Sequence, residues 1–141
     1  CHGLRHGWLT SFCIRAALDK PLCVEGTGAQ TRDMLHSADI NAAILAALEL
    51  KQTGELFVLG GGSGNRISVQ QAATLLQEMT GVRIVNGPGR DHEDEHVWVN
   101  HSRFTAATGW APKVSVLDGI RDVLAWAQRH KNDLAKLYEA E

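Results

Sequence analysis

Arg32 leaves a glycine-spaced turn in the stretch VEGTGAQTRDMLH, residues 24–36. Glycines so spaced mark backbone that bends sharply or lies close to another group. A guanidinium at the exit of such a turn suits a phosphate or diphosphate, whose oxygens it meets in bidentate geometry. Read alone, Arg32 equally suits a surface ion pair with Asp33 or Asp39. A second glycine cluster, GGGSGN at residues 60–65, stands between an apolar run and a helical pattern, where a dinucleotide fingerprint would sit. Its spacing fails, because Asn65 or Ile67 occupies the place of the third glycine. Arg83 to Asn86, about twenty residues on, offer no acid for a ribose hydroxyl. A tight turn is the plainer reading. HEDEH, His92 to His96, is a literal HExxH, which binds zinc when both histidines share one helical face. Gly87, Pro88 and Gly89 precede it and HVWV alternates like a strand after it, so an acidic solvated loop competes with the metal reading.

The elements that must position these residues follow from periodicity. Apolar positions Leu9, Phe12, Cys13, Ala16 and Ala17 predict a helix over Trp8–Lys20, followed by a short strand from Pro21 and a second at RDMLH. Ser37 is the expected cap of the next helix, with Asp39 in its first turn and Ile40, Ile44, Leu45 and Leu48 on one face, ended by Gly54. LFVLGGG reads as a strand entering a glycine turn. Ser68 with Gln71 forms a capping box for a helix that stops at Gly81. VRIVNGP is a strand, SRFTAATG a short helix ended by Gly109, and WAPKVS an extended approach to a long final helix capped by Ser115. Strands and helices alternate throughout, which gives an α/β or α+β class in one domain over residues 1–141.

Composition narrows the function classes. With 44% hydrophobic and 21% charged residues over 141 positions, the chain is an ordinary globular protein. A net charge of −2 recommends no nucleic acid, and no apolar run approaches the ~20 residues of a membrane helix. Three cysteines, Cys1, Cys13 and Cys23, without CxxC spacing, argue for a reducing compartment and against a disulfide framework, so cytoplasm is expected.

Three segments, read in order, carry a family resemblance: GWLTSFCIRAALDKPLCVEGTGAQTRDMLHSADI, GELFVLGGGSGNRISVQQAATLLQEMTG and PGRDHEDEHVWVNHSRFTAATGWAPKVSVLDGI. Together they resemble the C-terminal half of the NAD-dependent epimerase/dehydratase family, the extended short-chain dehydrogenases that act on nucleotide sugars. The resemblance runs from about Gly7 to Gln128, and the opening and TRDMLH are most similar to the CDP-paratose (CDP-tyvelose) 2-epimerase branch. It implies Arg32 and Arg90 on the nucleotide's diphosphate and Glu93 on its ribose hydroxyls. It also implies that the strand around Val24 and Glu25 lays its backbone along the base. TGWAPKVSVLDGI is similar to a structural corner of the family. Two departures stand out, Thr27 and Asn100, where the family usually has aspartates; the first bears on the turn, the second on the cap of the following helix.

The resemblance also implies what lies elsewhere. Such enzymes oxidise a sugar carbon with bound NAD and return the hydride, using a Rossmann glycine loop and a Tyr-x-x-x-Lys pair in their N-terminal part. This chain has one tyrosine, Tyr138, with no lysine at the matching position. NAD is therefore expected in the full-length enzyme and none in this chain, which alone is expected to be inactive. A CDP- or UDP-sugar is the expected ligand and a homo-oligomer is open. Two origins fit: a piece of a full epimerase, which the non-methionine start favours, or a stand-alone binding or interaction module. Trp126, Leu134, Leu137 and Tyr138 extend an apolar stripe at the end, as core packing or as a partner-binding tail.

Overall fold

The computed structural model describes residues 7–51, 54–89 and 96–139. Among the described residues there are six α-helices and five short strands: α1 (Trp8–Ala17), β1 (Leu22–Glu25), β2 (Thr31–Asp33), α2 (Ser37–Leu48), β3 (Arg66–Ser68), α3 (Val69–Thr80), β4 (Ile84–Gly87), β5 (His96–Val97), α4 (Ser102–Thr108), α5 (Val116–Arg129) and α6 (Lys131–Glu139). No helix among the described residues is long and apolar enough to cross a membrane. The chain divides into two compact units, one built from residues 1–30, 68–94 and 120–141, the other from 31–67 and 95–119.

In the first unit β1 and β4 pair in parallel, Val24 opposite Asn86 and Glu25 opposite Gly87. Helices α1 and α3 pack together and both touch β1. The interior is apolar and close-packed, with Ile14, Leu22, Val24, Leu76 and Ile120 all at most 2% exposed. Helix α1 ends earlier than its periodicity predicts, because Asp19 turns left-handed at φ 56° and Lys20 N–H returns to Arg15 O at 2.8 Å. The capping box of α3 is complete: Ser68 Oγ accepts from Gln71 N–H and Gln71 Oε1 accepts from Ser68 N–H. The expected single final helix is two, since the carbonyl of His130 accepts from Asp133 and Leu134 N–H and so starts a new helical turn. Cys13 is a buried thiol and Cys23 is disulfide-bonded. The bridge at Cys23 runs against the expectation of reduced cysteines, because an odd count leaves one thiol over without forbidding a bridge.

In the second unit the strand order is β3–β2–β5, with β2 and β5 parallel and Thr31 opposite His96. Ala43, Phe104 and Trp110 form its core, with Leu35, Ala46, Leu50, Phe57 and Leu59 packed around them. Phe104 meets Phe57 edge-on at 5.2 Å and Trp110 at 5.5 Å, distances at which aromatic pairs attract. Asp39 stands in the first turn of α2, as expected, and has a second role. It is 4% exposed, and its carboxylate accepts from Lys113 and Val114 N–H at 3.0 Å each. The cap of α2 is His36, whose Nδ1 accepts from Ala38 N–H at 3.2 Å, so Ser37 is the first helical residue. Helix α2 ends at Leu48, well before Gly54, and its expected apolar face is exposed. LFVL, read as a strand, pairs with no strand among the described residues.

Candidate functional site

Strand β1 holds the first two sequence-derived candidates. Val24 is 0% exposed, side chain and backbone together. Glu25 is half-buried, and its carbonyl accepts from Gln30 Nε2 at 3.5 Å. The turn that follows is shaped by its own chain. At Gly28 φ is +68°, and an added Cβ would lie 2.6 Å from Val24 Cγ1 and 3.0 Å from the backbone of Gln70. The carbonyl of Gly28 in turn accepts from Gln70 N–H at 2.9 Å, which fastens the turn to the start of α3. Thr27, where the family usually has aspartate, still closes the turn, its Oγ1 accepting from Ala29 N–H at 3.3 Å.

Arg32 lies on β2, the middle strand of the second unit's sheet, and is half-buried. One of its guanidinium nitrogens donates to Thr31 O at 2.8 Å. Its neighbour Asp33 is structural: Oδ2 accepts from both Gly62 N–H and Val99 N–H at 3.1 Å. The two acids proposed as surface partners for Arg32, Asp33 and Asp39, therefore both hold backbone amides. Arg90, Glu93 and His92 lie outside the described residues.

The first two glycines of the GGGSGN turn each lie against other parts of the chain. An added Cβ at Gly61 would fall 2.0 Å from Met34 O, and one at Gly60 would fall 2.5 Å from both Asp33 Oδ2 and Val99 Cβ. These glycines make room for the protein's own backbone and side chains. His96, the last residue of HEDEH, sits on β5 and not on a helix, with Nδ1 3.0 Å from Thr31 Oγ1. Among the described residues no cluster of three or more histidine, cysteine or acidic side chains is arranged to hold a metal. The GW-x-P segment forms the expected corner: Trp110 Nε1 donates to Asp39 O at 3.0 Å. Asn100, the second departure, keeps a capping contact, its Oδ1 accepting from Ser102 N–H at 2.9 Å. The clamp by Asp39 was missed because its partners lie 74 and 75 positions away.

Comparison with known proteins gives these elements a setting. No family model matches the chain. The CDP-paratose 2-epimerase of Salmonella typhi is 31% identical over 129 residues, covering 85% of this chain and 38% of that protein. The crystal structure of UDP-glucose 4-epimerase from Thermotoga maritima, solved with UDP-glucose, superposes with a TM-score of 0.76 at 27% identity, over 92% of this chain and 41% of that one. The UDP-glucuronic acid 4-epimerase of Bacillus cereus, solved with UDP-glucuronic acid and NAD, shares the fold at a TM-score of 0.76 and 24% identity, over 87% of this chain and 40% of that one. The chain thus spans about two-fifths of the length of the proteins it matches. Its mixed α/β fold, its order of segments and these matches make it a homologue of the C-terminal portion of the NAD-dependent epimerase/dehydratase family, the extended short-chain dehydrogenases.

Proposed function

We propose that this chain, as a single domain over residues 1–141, is the nucleotide-sugar-binding portion of an NAD-dependent epimerase or dehydratase. Arg32 and Arg90 hold the diphosphate, Glu93 the ribose hydroxyls, and the backbone at Val24 and Glu25 lies along the base. The reading is carried by Arg32, a half-buried guanidinium on a middle strand within the segment that resembles the family's diphosphate contact. Its relatives support the kind of ligand, since one is a CDP-sugar epimerase and another was solved with UDP-glucose. NAD and the hydride chemistry belong, in this reading, to the part of the family fold that the chain does not span. The polypeptide alone then binds without turnover, in the cytoplasm. The disulfide at Cys23 bears against that compartment, and alkylating thiols at the moment of cell lysis decides it.

Isothermal titration with CDP- and UDP-sugars tests the site. A charge-assisted hydrogen bond contributes roughly 1.5–3 kcal/mol, so Arg32→Ala should weaken binding about 10- to 150-fold. Equal affinity of Arg32→Ala and the unaltered protein overturns the role of Arg32. A second reading, a non-catalytic interaction module, draws on the exposed apolar side of α2. It requires self-association visible by sedimentation.

A further inference from the structure

Arg32 and Asp33 are neighbours on β2, so their side chains leave opposite faces of the strand. The register sets Arg32 beside Val97 of β5. Asp33 turns the other way, and its Oδ2 accepts from Gly62 N–H and Val99 N–H at 3.1 Å each. One carboxylate oxygen thereby ties β2 to two segments remote in sequence, the GGGSGN turn and the chain just beyond β5. The β2–β5 ladder joins strands of three and two residues, which fixes little by itself. Hydrogen bonds that end on a carboxylate are stronger than neutral ones, so this clasp outweighs the ladder it supports.

The glycines close the arrangement from the other side. The place of a Cβ at Gly60 lies 2.5 Å from Asp33 Oδ2, and at Gly61 it lies 2.0 Å from Met34 O. Bare backbone therefore lies directly against the two residues that follow Arg32. Met34 N–H donates to Asn65 O at 2.9 Å and fastens the same strand end a second time. The Arg32 guanidinium is braced on its own strand, Nη1 donating to Thr31 O at 2.8 Å. Its direction follows that of β2, and β2 is held at its far end by Asp33 and the turn.

We propose that Asp33, clasped between the glycine turn and Val99, is a positioning residue for the diphosphate held by Arg32. It acts through β2 and touches no ligand. GGGSGN, which lacks the spacing of a cofactor loop, then serves phosphate binding by leaving no side chain where the clasp must close. This rests on the role of Arg32 proposed above. A bidentate guanidinium–phosphate pair is demanding, since a displacement of about 0.5 Å or 10–20° already spoils its geometry. Charge alone predicts the opposite outcome: an anionic side chain near an anion site repels the ligand, and its removal would tighten binding.

Isothermal titration with CDP across a double-mutant cycle separates the two. Asp33→Ser should weaken CDP binding about 10-fold or more. In an Arg32→Ala background it should change affinity less than about 2-fold, because no guanidinium remains to be aimed. Asp33→Asn keeps an oxygen that both amides can reach and should bind within about 3-fold of the unaltered chain. Val99→Pro deletes one donor and leaves the carboxylate, so it should repeat the Asp33→Ser pattern, and it carries the cycle if Asp33→Ser loses its native circular dichroism. Equal losses in both backgrounds assign Asp33 to general stability and overturn the proposal. Tighter binding by Asp33→Ser, or a loss in Asp33→Asn as large as in Asp33→Ser, overturns it too. Weaker binding by Arg32→Ala with none by Asp33→Ser or Val99→Pro removes the clasp and leaves the role of Arg32 standing. No CDP binding by the unaltered chain, or full binding by Arg32→Ala, removes both.

Discussion

At the scale of single residues, buried Asp39 has the sharpest energetic consequence. Its carboxylate satisfies two backbone amides of the 113–114 segment, and removing it leaves both donors without that acceptor. Each orphaned donor costs about 1–3 kcal/mol, so Asp39→Ala should destabilise the protein by roughly 3 kcal/mol, read from the urea midpoint. Asp39→Asn, which keeps one acceptor oxygen, should cost less. Cys13 supplies a pH signature. Burial pushes its thiol from 9.0 to about 12, so the folded protein keeps the proton that the unfolded chain releases above pH 9. The contribution is fully present below pH 9 and is lost as pH rises toward 12, with a slope of about 1.4 kcal/mol per pH unit for this group. Native Cys13 should therefore resist alkylation at pH 8 and react once urea unfolds the chain. Modification of native Cys13 at the rate of an exposed thiol would contradict that burial.

At the scale of elements, the end of the chain separates two readings of its apolar stripe. Leu134 of α6 is 6% exposed, whereas Leu137 is exposed and Trp126 lies against His130 with ring centroids 5.0 Å apart. Leu134→Ala should cost about 2–5 kcal/mol, as for other buried leucines, measured by chemical unfolding. A change under about 0.5 kcal/mol, the size of a surface effect, would return α6 to the role of a free tail. What was legible in the sequence follows the same local logic. The Ser68–Gln71 box and the left-handed stops at Gly81 and Gly109 were readable because every participant lies within a few positions. The β2 strand carrying Arg32 was readable in place but not in extent, since RDMLH runs on to His36 while β2 spans only Thr31–Asp33. The exposed side of α2 was not, because periodicity finds an apolar face without saying what meets it. LFVL was read as a strand correctly in pattern, but a ladder requires a second strand that these described residues do not provide. The pairing of Arg32 with Arg90 rested on family resemblance, since no local spacing relates two residues 58 positions apart.

At the scale of the whole molecule, the two compact units are woven together in sequence. The backbone passes from one to the other after residues 30, 67, 94 and 119. The β1–β4 ladder shows the effect within one unit, since its partners Leu22 and Ile84 are separated by the whole 31–67 excursion. Pairing over such separations must overcome loop-closure entropy before it gains contacts. A further consequence concerns inheritance rather than energy. No single recombination breakpoint can hand over one unit alone, because pieces of the first unit lie on both sides of the second. A single crossover that carries the surface bearing Arg32 therefore brings part of the first unit with it.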